Sequence, residues 1–199
     1  MHRLLAFIAA TALVATACNQ AQSVALLGDW AATLGAASTD NWANPIAEGL
    51  APFSQYGQRA GGCGTACGSR NHRGMDLHCP SGLPNVDPVK AMADGIVVGS
   101  QTDDGFGPLV VVQHEGTGFS SLYSHMEEAL VVVGQRVVQG QTLGLCSNRE
   151  GHSPLDRFET SKPHSHVEIL TGEANDYENY LDMRKAGQTL DPWPLVSAQ

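Results

Sequence analysis

Two short strings hold most of the residues that could do chemistry: His72-Arg73-Gly74-Met75-Asp76 and, much later in the chain, His164-Ser165-His166. A third, Tyr123-Ser124-His125, adds another imidazole. Zinc sites that catalyse reactions take three protein ligands and leave the fourth position open. In extended chain, side chains two or four residues apart share a face. His164 and His166 are therefore expected to project together from one strand. His72 and Asp76 do the same if the chain between them is extended, and Gly74 leaves room there for a close approach of backbone or ligand. By the same alternation Tyr123 shares a face with His125. Two such pairs from different strands offer three ligands to a metal and leave an imidazole beside it for acid–base work.

The elements that must position these residues read as β-structure from about residue 52 onward. Met75–His78 alternates apolar and polar residues. The runs at Ile96–Val98, Leu109–Val112, Phe119–Met126, Leu130–Val133, Gln141–Cys146 and His166–Leu170 are short and rich in branched or aromatic residues, and turn residues separate most of them. The expected fold is mainly β: a small antiparallel sheet or barrel-sandwich domain with short peripheral helices. One helix is expected within 173–186, capped by Asp176, with Tyr177, Tyr180 and Leu181 on one side. Pro192 and Pro194 are expected to end the regular structure. Upstream, Val24, Leu27, Ala31 and Leu34 fall on one helical face, so residues 18–51 read as a short helix and linker, punctuated by Asn44-Pro45 and Ala51-Pro52.

A length of 199 residues suits one domain with a sizeable core, and the formal charge of -9 argues against nucleic acid or an anionic membrane as an electrostatic partner. Residues 1–17 read as an export signal: Arg3, the apolar run Leu4–Val14, too short to span a bilayer, and the small-residue site Ala15-Thr16-Ala17. Cys18 follows at the first mature position, which resembles a bacterial lipoprotein; lipid anchoring through Cys18 and plain secretion both remain open, so a periplasmic or extracellular location is expected. Setting Cys18 aside leaves Cys63, Cys67, Cys79 and Cys146, an even number in a compartment that permits disulfides. The favoured pairing is Cys63–Cys67, within a Gly-rich loop, and Cys79–Cys146, between segments that flank the two metal motifs.

In order along residues 52–196, these motifs resemble the lysostaphin-type zinc endopeptidases, which cut peptide bonds in bacterial peptidoglycan. That family carries His-x-x-x-Asp, Tyr-x-His-Leu and His-x-His before an apolar strand; here they stand as HRGMD, YSHM and HSHVEIL. SQYGQR at 54–59, GQRVVQGQTLG at 134–144 and LDPWPLV at 190–196 are similar to further family segments. The resemblance implies one zinc ion per chain held by His72, Asp76 and His166. It makes His125 and His164 the unliganded catalytic histidines, one as base and the other stabilising or protonating the tetrahedral intermediate. It implies a peptidoglycan peptide as substrate, and Tyr123 lending its hydroxyl to the transition state. The zinc ion would polarise the scissile carbonyl and bring the pKa of water to roughly 7. Residues 147–163, with Asp156 and Glu159, are longer than the corresponding family loop, and 173–186 look inserted. Both are expected to line the groove.

Other histidines have quieter readings. His114 fits a hydrogen-bonded structural role, His78 a supporting contact or solvent, and His152 solvent; Arg59 holds either a loop or a substrate carboxylate. Asp103-Asp104-Gly105 reads as a turn. Two rival functions remain. One is a non-catalytic wall-binding module that activates another hydrolase, against which stands the retention of all five site residues. The other is a biotinyl- or lipoyl-type carrier, against which stands the setting of Lys90 and Lys162.

Overall fold

Ten short strands and two helices make up the described part of the chain, residues 42–57, 72–157 and 162–197 of a computed structural model. The export segment, Cys18, the helix expected between Val24 and Leu34, Arg59, the Cys63–Cys67 pair and Glu159 lie outside the described residues.

The strands are β1 (Met75–His78), β2 (Pro88–Lys90), β3 (Gly95–Asp103), β4 (Gly107–His114), β5 (Phe119–Ser124), β6 (Met126–Ala129), β7 (Arg136–Val137), β8 (Thr142–Cys146), β9 (His164–Thr171) and β10 (Thr189–Leu190). The helices are α1 (Tyr177–Lys185) and α2 (Trp193–Val196). Seven strands form one antiparallel sheet in the order β1-β9-β5-β4-β3-β7, with β10 also on β9; a smaller sheet runs β2-β8-β6. The fold is thus mainly β with short helices, as expected, and neither sheet closes into a barrel among the described residues.

Register assigns the faces. Val111, Leu122 and Glu168 lie side by side across β4, β5 and β9, and Val110, Tyr123 and Val167 form the next row. Side chains directly opposite in antiparallel pairs share a face, and adjacent rows point opposite ways. The Val111 face packs with Val98, Leu109, Leu170, Ala174, Tyr177 and Tyr180 into one core cluster. The Val110 face buries Tyr123 and Val167 on the other side. Because both faces are covered, every residue of β5 and all of β4 but Gln113 are buried, and neither strand alternates apolar with exposed polar residues.

Three local expectations change. Leu130–Val133 is not a strand: only Val131 is buried, Leu130, Val132 and Val133 are exposed, and the chain turns through Gly134 (φ 86°). Strand propensity reflects fit to a half-buried pleated surface, and this run has little of it. The strand lies just before, at Met126–Ala129, paired with β8. The helix within 173–186 is shorter, Tyr177–Lys185, and Asp176 caps it by accepting from the Asn179 amide at 2.7 Å. Pro192 and Pro194 do not end the regular structure; they open the turn of α2, where a missing N–H costs nothing. Cys79 and Cys146 form a disulfide that ties the end of β1 to the end of β8, as expected.

Candidate metal centre

The pairing of β1 with β9 builds the site. Asp76 stands directly opposite His166, and His78 opposite His164. On the outer side of β1 the strip Phe53–Gly57 holds the motif in place: the Asp76 amide donates to Ser54 O at 2.9 Å, Phe53 N donates to Asp76 O at 3.1 Å, and Gly57 N donates to His72 O at 2.8 Å. Gly74 passes so close to the Val167 carbonyl that a side chain there would collide with it. The expected function of this glycine, close backbone approach between His72 and Asp76, is what the geometry requires.

Three donor atoms converge. His72 Nε2 lies 3.1 Å from Asp76 Oδ1 and 2.9 Å from His166 Nδ1, and His166 Nδ1 lies 2.8 Å from Asp76 Oδ1. Their outer partners assign the protons. His72 Nδ1 is 3.0 Å from the Gln55 carbonyl, which can only accept, so Nδ1 carries the proton. His166 Nε2 is 3.0 Å from Glu168 Oε1, a buried carboxylate gripped by Arg184, so Nε2 carries the proton. Each neutral ring then turns a lone pair inward, toward the other ring and toward Asp76. Two lone pairs and a carboxylate oxygen within 3.1 Å repel unless a cation sits among them. This donor set fits a divalent metal of the zinc type.

Without a metal, protons answer the same demand. Burial alone would lower the His166 pKa, but hydrogen bonds and charge from Asp76 and Glu168 outweigh it and hold it up at about 9. Burial alone would raise Asp76, yet its bonds to His166 and His72 keep it well below the usual carboxylate range. Glu168 is pulled down to about 2 against burial by His166 and Arg184.

Two further imidazoles stand beside the triangle. The His125 ring centroid is 5.2 Å from that of His164 and 5.7 Å from that of His166. Burial, reinforced by the neighbouring His164 and His166, pushes His125 down to about 3. Burial also lowers His164, whose Nδ1 donates to the Lys162 carbonyl at 2.9 Å and so makes Nε2 the basic nitrogen. Both rings are neutral at pH 7 and can accept a proton.

Tyr123 does not join them. His125 follows the end of β5 with φ 59°, in left-handed backbone, and its N–H donates to Phe106 O at 2.8 Å. That turn breaks the alternation on which a shared face for Tyr123 and His125 depended. His125 swings toward His166, whereas Tyr123 stays in the opposite row, fully buried. Its hydroxyl lies 2.9 Å from the Met92 amide and 3.0 Å from Ser121 Oγ.

Other residues fall where their chemistry suggests. His114 is buried between Asp94 O and Ser121 Oγ, and exposed His152 meets Asp104. His78 stacks on Phe53 with ring centroids 3.8 Å apart, and Phe53 meets His164 edge-on at 5.4 Å. The described part of the 147–163 loop is pinned by Arg157, which grips Glu127 at 2.7 and 2.9 Å; Asp156 binds its own loop through the Ser153 amide. The segment expected to be a groove-lining insertion instead packs its helix on the core cluster and reaches Glu168 through Tyr180 and Arg184. Glu168 and Arg184 escaped the sequence reading, which placed Tyr180 only on one side of a helix. The available signal was an acid two positions past His166, hence on the same face, set among the apolar Val167, Ile169 and Leu170.

The profile of peptidase family M23 matches residues 70–190, more than half of the chain. The chain belongs to peptidase family M23. This is a family of zinc metallopeptidases. Residues of this chain are 33% identical over 99 positions to peptidoglycan DD-endopeptidase ShyA of Vibrio cholerae, covering 50% of this chain and 20% of ShyA. They are 34% identical over 108 positions to murein hydrolase activator EnvC of Escherichia coli, covering 54% of this chain and 20% of EnvC. The chain thus spans about a fifth of the length of these two relatives. Among solved structures, the catalytic domain of the antimicrobial peptidase lysostaphin from Staphylococcus simulans shares the fold, with a TM-score of 0.52 at 23% identity, covering 73% of this chain and 90% of that one.

Proposed function

We propose that this M23 chain is a zinc-dependent endopeptidase that hydrolyses peptide bonds in the stem peptides or cross-bridges of bacterial peptidoglycan. The observation that carries this reading is the convergence of His72, Asp76 and His166 with two neutral imidazoles, His125 and His164, on the same side. His72, Asp76 and His166 would hold one zinc ion, which supplies Lewis-acid polarisation of the scissile carbonyl and acidifies water. His164 Nε2 and the His125 ring share the proton work: one accepts the proton of the attacking water and, once protonated, passes it to the departing amine, while the other stabilises the tetrahedral intermediate. Tyr123 braces the Met92 backbone and Ser121 from the far face and takes no part in the transfer. ShyA, by its name a DD-endopeptidase, supports peptidoglycan as the substrate class.

A second reading rests on EnvC, by its name a hydrolase activator: this chain would bind the wall and switch on another enzyme. The retention of both spare imidazoles beside the donor triangle favours hydrolysis. The deciding experiment is incubation of zinc-loaded protein with purified peptidoglycan. Release of new amino groups, abolished by chelator and restored by zinc, is expected. Stoichiometric zinc without release would favour the activator.

Arg3, the apolar run and Ala15-Thr16-Ala17 support export with residues 1–17 removed. On this reading 18–51 serve as linker, 52–196 as the peptidase domain, and Cys18 would anchor the chain to a membrane if lipidated. The intact mass of the mature protein distinguishes acylated from free Cys18. No helix among the described residues is long and apolar enough to cross a membrane.

A further inference from the structure

Glu168 has no exposed surface. A carboxylate removed from water destabilises the fold unless it is paired and hydrogen-bonded. Glu168 is bonded on every side. Oε1 faces His166 Nε2 at 3.0 Å, Oε2 accepts from the Tyr180 hydroxyl at 2.9 Å, and Arg184 closes on both oxygens, Nε at 2.7 and 3.0 Å and a terminal nitrogen at 2.9 Å. Tyr180 and Arg184 are four residues apart on α1 and so share one face of the helix. The Arg184 guanidinium also lies 5.0 Å from the centre of the Phe106 ring.

The same helix end touches the other metal motif. Arg73, inside His72–Asp76, donates to the Arg184 carbonyl at 3.0 Å. One residue of α1 therefore joins both strings: its side chain reaches His166 through Glu168, and its backbone holds Arg73. A helix that merely covered the core cluster would need neither contact.

We propose that Arg184, assisted by Tyr180, is a positioning residue of the metal centre: it fixes Glu168 so that Glu168 fixes the His166 ring with Nδ1 turned toward Asp76 and His72. This rests on the metal-centre reading above. An imidazole ligand depends on the partner of its outer nitrogen for tautomer and orientation, and loss of such partners typically weakens metal binding by about 10–100-fold. Lysine cannot replace this arginine, since an ammonium lacks the planar fork that grips both oxygens at once.

The test uses the full chain stripped of metal, with Arg184→Lys, Tyr180→Phe and the double variant. Arg184→Lys keeps the positive charge beside Glu168, and Tyr180→Phe removes only a hydroxyl, so both are expected to fold. Three quantities are measured: zinc affinity by chelator competition, the visible spectrum of the cobalt-substituted protein, and the thermal midpoint without metal. The expected result is about a tenfold loss of zinc affinity for Arg184→Lys, a smaller loss for Tyr180→Phe, and up to about a hundredfold for the pair, with a changed cobalt spectrum. Unchanged affinities and spectra alongside a lowered metal-free midpoint would overturn the proposal and make the cluster a purely structural one. A native chain that took up neither zinc nor cobalt stoichiometrically would overturn the metal-centre reading itself, and this inference with it.

Discussion

Replacing Gly74 by alanine tests whether the spacing of β1 and β9 sets the site. A Cβ at position 74 would lie 2.9 Å from the Val167 carbonyl carbon, 3.0 Å from Glu168 Cγ, and nearer still to the Val167 oxygen. Ordinary carbon–carbon contacts sit at about 3.5–4.0 Å, so the two backbones must separate by about 1 Å. β9 cannot yield easily, because β5 holds its other edge across the same residues. The shift therefore falls on β1, and it carries Asp76 away from His166, the residue it faces in register. Overpacking of this kind costs about 1–3 kcal/mol, and a 1 Å misplacement of reacting groups costs about 10²-fold in rate. Gly74→Ala is expected to lower the thermal midpoint by several degrees and to lose both zinc and peptidoglycan cleavage. The assay is metal content and cleavage rate on the same purified sample, beside a thermal melt. Native zinc affinity and rate in a folded Gly74→Ala protein would refute the reasoning, since the site would then tolerate a displaced β1.

Removing the Cys79–Cys146 bridge frees a loop with a sequence separation of 67, worth about 4 kcal/mol in the chain-entropy model. A paired serine variant should melt about 10 °C lower, checked by calorimetry. Ala at Asp76 or His166 should abolish zinc and activity together, whereas Ala at His125 or His164 should keep zinc and slow cleavage by about 10²–10⁴-fold; zinc analysis beside kinetics separates the two classes. In the metal-free protein His166, held at about 9, contributes stability that is full below about pH 6.5 and is lost as pH rises through 9. His125, at about 3, and Glu168, at about 2, contribute stability that is lost as pH falls, the histidine from about 6.5 and the acid from about 4.5. Urea midpoints across pH should therefore peak near pH 6.5. Zinc must displace one proton from His166, so its affinity should rise about tenfold per pH unit up to about pH 9, read by chelator competition.

Much of this was legible in the sequence because strands make spacing geometric. The pair His164 and His166 needed only the period of two, and the antiparallel β class followed from short branched runs between turns. Where the backbone leaves that regularity, the pattern fails. The left-handed φ of His125 separates it from Tyr123, a change that no side-chain pattern announces. Leu130–Val133 carries strand propensity without a surface to pack on. The role of α1 was hidden for a different reason: its meaning lies in Tyr180 and Arg184 meeting Glu168, a contact between elements that only the fold brings together.

On the proposed reading, what stands behind each ring separates the metal-holding His166 from its strand neighbour, the proton-moving His164. Behind His166 is a full carboxylate charge, and the ring is held strongly basic. Behind His164 Nδ1 stands a neutral backbone carbonyl, and burial wins. The two rings are neighbours on one face of one strand, yet their environments push their affinities for a proton in opposite directions. An imidazole that keeps its outer proton on a charged partner offers its inner lone pair to a cation as a stronger ligand. An imidazole with a lowered proton affinity is neutral at working pH and can take a proton and give it up again. His-x-His in this chain is thus two different instruments made from the same side chain, and the difference is written in Glu168 and the helix that holds it.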